Sequence, residues 1–357
     1  MIFSTLGRYF LKAYFATLGW FFVGVVSIIY LIDFSEVVGN ISAAAGQGIG
    51  DALLITALRL PYIFQQTVPF IALFAGMVTL IALNRRYELV VTRAAGISVW
   101  QFMTPFVAGA FILGLFSILA LNPLASWSQQ RATAIQSVGS NGNSDTIPWL
   151  RQRTDGQDTI IGGRAITNNG TQLVGAVVIF FGDQGQITKR LDARTATLSD
   201  GWWDLEEVTQ IVPGDLTTQM ATTRVKTNLE QKFVQQRLLQ ADLVNFYDLP
   251  ESIRKGRQFG VSTKALETQY NYLLSLPLLM VAMTLIAATV CLKFSRFSQS
   301  PVVILGGILS GFLLYVTSVL VKAFGSSGVL PPLVAAWIPV VVAMALGLTI
   351  LLHQEDG

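Results

Sequence analysis

The sequence predicts a polytopic α-helical membrane protein of six transmembrane helices, with an inserted all-β, jellyroll-like domain. Three observations predict it. Charged residues make up 13% of the 357 residues, against about a quarter in soluble globular chains. Six stretches stay apolar for about 20 residues or more, the length needed to cross a hydrocarbon core. Between the third and fourth of them the composition turns abruptly polar, in short alternating runs. The same composition excludes a disordered chain, a nucleic-acid-binding tail and a disulfide scaffold. With one cysteine, Cys291, and one histidine, His353, the chain cannot build a Cys/His zinc site and is poorly equipped for a Ser-His-Asp or Cys-His site. No catalytic residue, metal or cofactor is expected.

The first span is Phe10–Ile32. It is longer than the usual signal-peptide core, and the small-residue run Ala43-Ala44-Ala45 lies well beyond it, so the span reads as uncleaved. The second, Leu53–Leu83, contains Arg59, Pro61 and Pro69 and is expected to tilt or kink. The third is Val99–Leu121. The last three are Leu273–Leu292, Val302–Val321 and Leu333–Leu352. Basic residues set the orientation. Arg8 and Lys12 flank the first span, Arg85, Arg86 and Arg93 fill the second loop, and Lys293 and Arg296 follow the fourth span. The loops Asp33–Ala52 and Phe324–Pro332 hold no Lys or Arg. Both termini are then cytoplasmic and the insert lies outside.

The insert, Asn122–Glu267, is rich in Thr, Gln, Asp and Gly. Strands are predicted at Thr159–Thr167, Leu173–Phe181, Ile187–Leu191, Ala196–Leu198 and Trp202–Val212. Turn residues separate them, as in Asp155-Gly156, Asn168-Asn169-Gly170, the run from Gly182 to Gly185, and Ser199-Asp200-Gly201. Regular short strands of this kind suggest an antiparallel sandwich or jelly roll. Gln130–Ser137 continues the third span as a helix, and helices at Asp248–Gly256 and Ser262–Tyr272 lead back to the fourth. The domains are thus residues 1–122 with three spans, 123–267 with the β domain, and 268–357 with three more spans.

The chain has no GxxxxGK[ST] loop for a nucleotide and no mid-span acids for a proton relay. If it performs work, a partner supplies the energy. The most informative segment is the second loop, about residues 84–98, from Asn84 through Arg85-Arg86-Tyr87-Glu88-Leu89-Val90-Val91 to Ala94-Ala95-Gly96-Ile97-Ser98. Its middle is a short amphipathic helix, with Gly96 as a natural stop. Leu89, Val90 and Ala94, flanked by charges, suit a groove on another protein. An ordinary basic loop lying on lipid headgroups fits equally well, and the residues alone leave both readings open.

These residues resemble a known family. Pro69–Leu83, then Arg86-Tyr87-Glu88-Leu89-Val90-Val91 and Ala94-Ala95-Gly96-Ile97-Ser98, look like the lipopolysaccharide-export permeases LptF and LptG. Arg8-Tyr9, Asn122-Pro123, Trp202–Val208 and Pro331-Pro332 extend the likeness along the whole chain. The pattern is closest to LptG, with Tyr87 where Ser is common. The resemblance implies a permease subunit of an ABC-type exporter in the bacterial inner membrane, carrying a periplasmic jellyroll. It implies a heterodimer with an LptF-like paralogue, a cytoplasmic LptB-like ATPase dimer, and periplasmic LptC/LptA-like bridge proteins. The cargo would be lipopolysaccharide, and no nucleic acid is involved. The loop helix becomes a coupling helix, formed by Arg85, Arg86, Glu88, Leu89, Arg93 and Ala94, with Glu88 central.

A phosphorylated, multiply acylated lipid needs an apolar cavity rimmed by cations. Arg59, Lys322 and Arg131 are candidates at the outer side, although the first two could simply snorkel to the interface. Some LptG proteins carry a lysine where Tyr30 stands here, and Tyr30 cannot supply that charge. Gly307 and Gly311 form a GxxxG pair that suits close helix packing, either toward a partner subunit or within this chain. Two other identities stay in view. One is a membrane-anchored periplasmic scaffold or receptor without transport, and the other is the paired LptF subunit.

Overall fold

The computed structural model describes residues 5–41, 48–139, 149–154, 157–163, 165–167, 172–182, 186–199, 201–213, 217–227, 241–258, 262–292 and 301–356. Lys293 and Arg296, and the turns at 155–156 and 168–170, lie outside the described residues. In chain order the helices are α1 (Thr5–Ile41), α2 (Ile49–Arg85), α3 (Glu88–Ala94), α4 (Val99–Phe116) and α5 (Asn122–Gly139). After the strands come α6 (Leu249–Gln258), α7 (Lys264–Cys291), α8 (Pro301–Ser327) and α9 (Pro332–Asp356). Among the described residues, six helical segments are long and apolar enough to cross a membrane, and they match the six expected spans except that the fourth stops before Leu292 and the fifth starts after Val303. A π-helical turn, Ser117–Leu121, joins α4 to α5, which carries the third span onward as a helix. α2 runs unbroken through Pro61 and Pro69.

The chain divides into two compact units. One comprises residues 1–37, 56–129 and 267–357, and the other residues 38–55 and 130–266.

In the first unit α7 is the most enclosed helix, with a fully buried run from Leu279 to Leu285. Small residues set its neighbours close. A Cβ on Gly114 of α4 would collide with the backbone of Pro277, and one on Gly76 of α2 would meet Ala287 at 3.2 Å. The foot of α1 is a buried aromatic cluster. Phe10 packs on Phe106, and Tyr14 meets Phe106 edge-on at 5.7 Å and Thr284 Oγ1 at 3.4 Å. Gly307 sits against Val290 and Gly311 against Leu73. The GxxxG face is therefore used for packing against this chain's own α7 and α2.

The second unit holds β1 (Leu150–Thr154), β2 (Gln157–Gly162), β3 (Ala165–Thr167), β4 (Gln172–Phe181), β5 (Ile187–Ser199), β6 (Trp202–Ile211) and β7 (Thr218–Lys226). They form one antiparallel sheet in the order β1-β2-β4-β5-β6-β7, with β3 beside β4. The inserted β domain is present, and its described strands form a meander of neighbouring hairpins. One face is apolar and carries Ile161, Leu173, Val178, Leu191, Trp203 and Leu205.

The inward alternation resets along a single row. Leu173, Ala196 and Leu205 lie opposite one another, and so do Ala176, Ala193 and Val208, yet each pair along a strand is three residues apart. Between them stand Gly175 (φ 62°), Arg194 and Glu207 (φ 50°). Each strand has an extra residue facing its neighbour's extra residue, so the register survives while the inward face changes parity. The break between β2 and β3 falls on the same row, since Gly162 pairs with Val177 and Ala165 with Val174. The outermost strands also meet. Gln152 of β1 donates to the Lys226 carbonyl at 3.4 Å and accepts a hydrogen bond from the Thr227 hydroxyl. The sheet is thus rolled and clasped by side chains where no backbone ladder runs.

Candidate functional site

The loop between the second and third spans is built in four steps. α2 ends at Arg85, and the Tyr87 N–H caps back onto the Asn84 carbonyl at 2.9 Å. Tyr87 then takes a left-handed conformation (φ 61°, ψ 10°), uncommon for a non-glycine residue, and its carbonyl starts α3 by accepting from Val91 N–H at 2.9 Å. Gly96 (φ 83°) stops α3. Ser98 caps α4 through a reciprocal pair with Gln101. Every backbone feature of this loop is locally specified, so a seven-residue helix too short to be stable alone is held in place at both ends.

Leu89 is 1% exposed and Thr92 is also buried, so both side chains anchor α3 to its own chain. The open face is Tyr87, Val90, Val91 and Ala94, with Tyr87 and Val91 70% and 66% exposed. Arg85 and Arg86 are exposed beside it and Arg93 is half-buried. Glu88 accepts a hydrogen bond from the Tyr9 hydroxyl at 3.1 Å and lies 4.0 Å from Arg86 Nη1, both on Oε1. An apolar stripe bordered by arginines and one oriented carboxylate is suited to a groove with a complementary cation, not to covalent chemistry.

Of the expected lipid-facing residues, Arg59, Tyr30 and Lys322 each have an aromatic or charged partner. Arg59 is half-buried and ion-paired, with Nη1 3.3 Å from Asp33 Oδ1 and Nη2 3.9 Å from Glu36 Oε1. Asp33 and Glu36 stand three residues apart, about one turn along α1, and so share the helix face that meets Arg59. Asp33 is buried, and its Oδ2 has no hydrogen-bond partner. Tyr30 is half-buried and stacks on Phe34, with ring planes 2° apart. Lys322 Nζ lies over the Tyr272 ring, 4.5 Å from its centroid. Arg131 is exposed on α5, in the second unit. Sequence reasoning did not find Tyr9 or Tyr272, because neither motif nor spacing marks a residue whose partner is far along the chain. The Asp33–Arg59 pair was closer to legible, since a cation in an apolar helix needs an anion.

Comparison with known families decides the class. The model of the lipopolysaccharide export system permease LptF/LptG matches residues 8–353. The chain belongs to the LptF/LptG family. No curated protein matches it. As an LptF/LptG protein it is a multi-pass membrane component of lipopolysaccharide export, a permease. The α3 loop and all the charged groups described above lie within the matched residues.

Proposed function

We propose that this chain is a permease subunit of an ABC-type exporter, on the LptG side of the pair, that extracts lipopolysaccharide from the inner membrane when a partner ATPase turns over. The observation that carries the reading is α3. Its backbone is fixed at both ends, its inner side is anchored by Leu89, and its outer side presents Tyr87, Val91 and Ala94 beside an oriented Glu88. A scaffold without transport has no use for such a presented helix.

In this reading Arg85, Arg86, Glu88, Arg93 and Ala94 contact a cytoplasmic LptB-like dimer, with Leu89 acting as their support. An LptF-like paralogue completes the membrane part. Residues 123–267 form a periplasmic domain that passes the lipid to LptC/LptA-like bridge proteins, and residues 1–122 and 268–357 carry the spans. Both termini are cytoplasmic. Arg59, Lys322, Arg131 and Tyr30 remain candidate lipid contacts. For Arg59 a lipid phosphate has to displace or join Asp33 and Glu36, and for Lys322 it has to compete with the Tyr272 ring. The rolled β sheet, closed by Gln152 side-chain bonds, offers the place where the domain could part to admit acyl chains.

The test is a mild-detergent purification of the tagged full chain from its native host, with mass spectrometry of proteins and lipids. The expected result is co-recovery of a soluble ATPase, a six-span paralogue and lipopolysaccharide. Recovery with periplasmic proteins alone, in a preparation that keeps other membrane complexes intact, replaces this reading with the scaffold.

A further inference from the structure

We propose that Tyr9 is a positioning residue that ties α1 to α3 through Glu88, so that a displacement imposed on α3 is carried into the foot of α1. The inference deepens the reading of α3 as the ATPase-docking helix and rests on it.

The Tyr9 hydroxyl donates to Glu88 Oε1 at 3.1 Å across 79 positions of sequence. Tyr9 is 44% exposed, whereas Phe10 and Tyr14 are 1% and 0% exposed. Phe10 and Tyr14 therefore fill the core, and the distinguishing contribution of Tyr9 is its hydroxyl. Among the described residues the Glu88 carboxylate meets Tyr9 and Arg86, both on Oε1. A carboxylate has about four acceptor positions on two oxygens. Oε2 can then take a cation of a docked protein while Oε1 keeps the Tyr9 bond, and Glu88 becomes a bridge between the two.

α1 is suited to transmit such a movement. It is a single helix from Thr5 to Ile41, and its most apolar window is only 6% buried within the chain. It is held at its foot by the Phe10 and Tyr14 cluster, in its middle by Phe21 on Phe74 and Phe22 on Phe64, and farther along by the Asp33 and Glu36 pairs with Arg59. The left-handed Tyr87 immediately before Glu88 fixes the carboxylate's starting direction at the head of α3. A hydrogen bond to a charged acceptor is the stronger kind, and its loss is large enough to read in coupling while small against the fold.

The experiment uses the whole complex of this chain with its paralogue and ATPase. Nitroxide labels are placed on Trp20→Cys of α1 and Val78→Cys of α2, both exposed positions, and their separation is measured with and without a non-hydrolysable ATP analogue. ATP hydrolysis with and without added lipopolysaccharide is measured alongside. Tyr9→Phe keeps the ring and removes only the hydroxyl. The expected result is a complex that still holds its ATPase, shows a diminished nucleotide-dependent change in label separation, and loses about threefold or more of its lipid stimulation. An unchanged separation shift and unchanged stimulation in Tyr9→Phe overturn the role of Tyr9. Absence of any ATPase from the wild-type complex is a different failure, since it removes the docking reading itself and the inference with it.

Discussion

Single residues here carry two kinds of tension. Tyr87 holds a left-handed backbone that costs an ordinary L-residue roughly 1–2 kcal/mol, while its side chain is 70% exposed and caps nothing. Asparagine tolerates that conformation better. Tyr87→Asn is therefore expected to stabilise the isolated chain by roughly 0.5 kcal/mol, read as a raised unfolding midpoint in detergent, and to weaken ATPase recovery in the same preparation if the ring belongs to the docking face. A variant that lowers the midpoint would show that the ring supports the loop. Asp33 and Arg59 form the other case. Removing one partner leaves a charge without its counter-ion in a poorly solvated place. Asp33→Ala is expected to cost about 2 kcal/mol, less than a fully buried pair because Arg59 keeps 22% of its side chain exposed. The double variant Asp33→Ala with Arg59→Met should recover most of that loss. Equal loss in single and double variants would show that the pair is not what holds these residues.

At the scale of elements, the β sheet explains which strands could be read from the sequence. The segments Ile187–Leu191 and Ala196–Leu198, expected as two strands, are one strand of 13 residues, β5. Alternation stops at Arg194, and a period-two pattern cannot distinguish a bulge from the end of a strand. Conversely, Thr159–Thr167 reads as one strand and is broken into β2 and β3 at the same row. β1 and β7 escaped notice because they are the outer strands. β7 in particular exposes most of its length, so no apolar face marks it. On the outside of the row, Arg194 Nη1 meets Glu207 Oε1 at 2.7 Å, and this hydrogen bond and charge raise the Arg194 pKa further above its ordinary value. The clasp between the outer strands depends on Gln152. Gln152→Ala removes two hydrogen bonds and is expected to raise amide exchange in β1 and at the Lys226 end of β7 by about tenfold, leaving β4, β5 and β6 unchanged. Uniform exchange across the sheet in that variant would mean that the edges are not held there.

For the whole molecule, two patterns of different period occupy one chain. Apolar segments of about 20 residues and alternating runs of under ten could not share a solvent, and they separate into a helical unit and a sheet unit. The proposed orientation is testable across the membrane. Ala94→Cys on α3 and Glu206→Cys on β6 are both exposed positions, and Cys291 is buried. An impermeant thiol reagent added to cells with a permeabilised outer membrane is expected to label Glu206→Cys and to reach Ala94→Cys only after the inner membrane is opened. The reverse order of labelling would invert the proposed topology and with it the assignment of α3 to a cytoplasmic partner.

Six spans, the position and β nature of the insert, and the loop that carries α3 can all be read from the amino-acid pattern. These follow from local composition and periodicity, because water and hydrocarbon sort residues by polarity wherever the chain later goes. The family is legible for the same reason, since its motif is a contiguous stretch. The open side of α3, the pairing of Arg59 with Asp33 and Glu36, the packing of Gly307 on Val290 and Gly311 on Leu73, and the reach of Tyr9 to Glu88 emerge only once the chain is folded. Each of these is a contact between residues distant in sequence. A distance of a few ångströms between them is fixed by how helices and strands pack, which no one-dimensional pattern records.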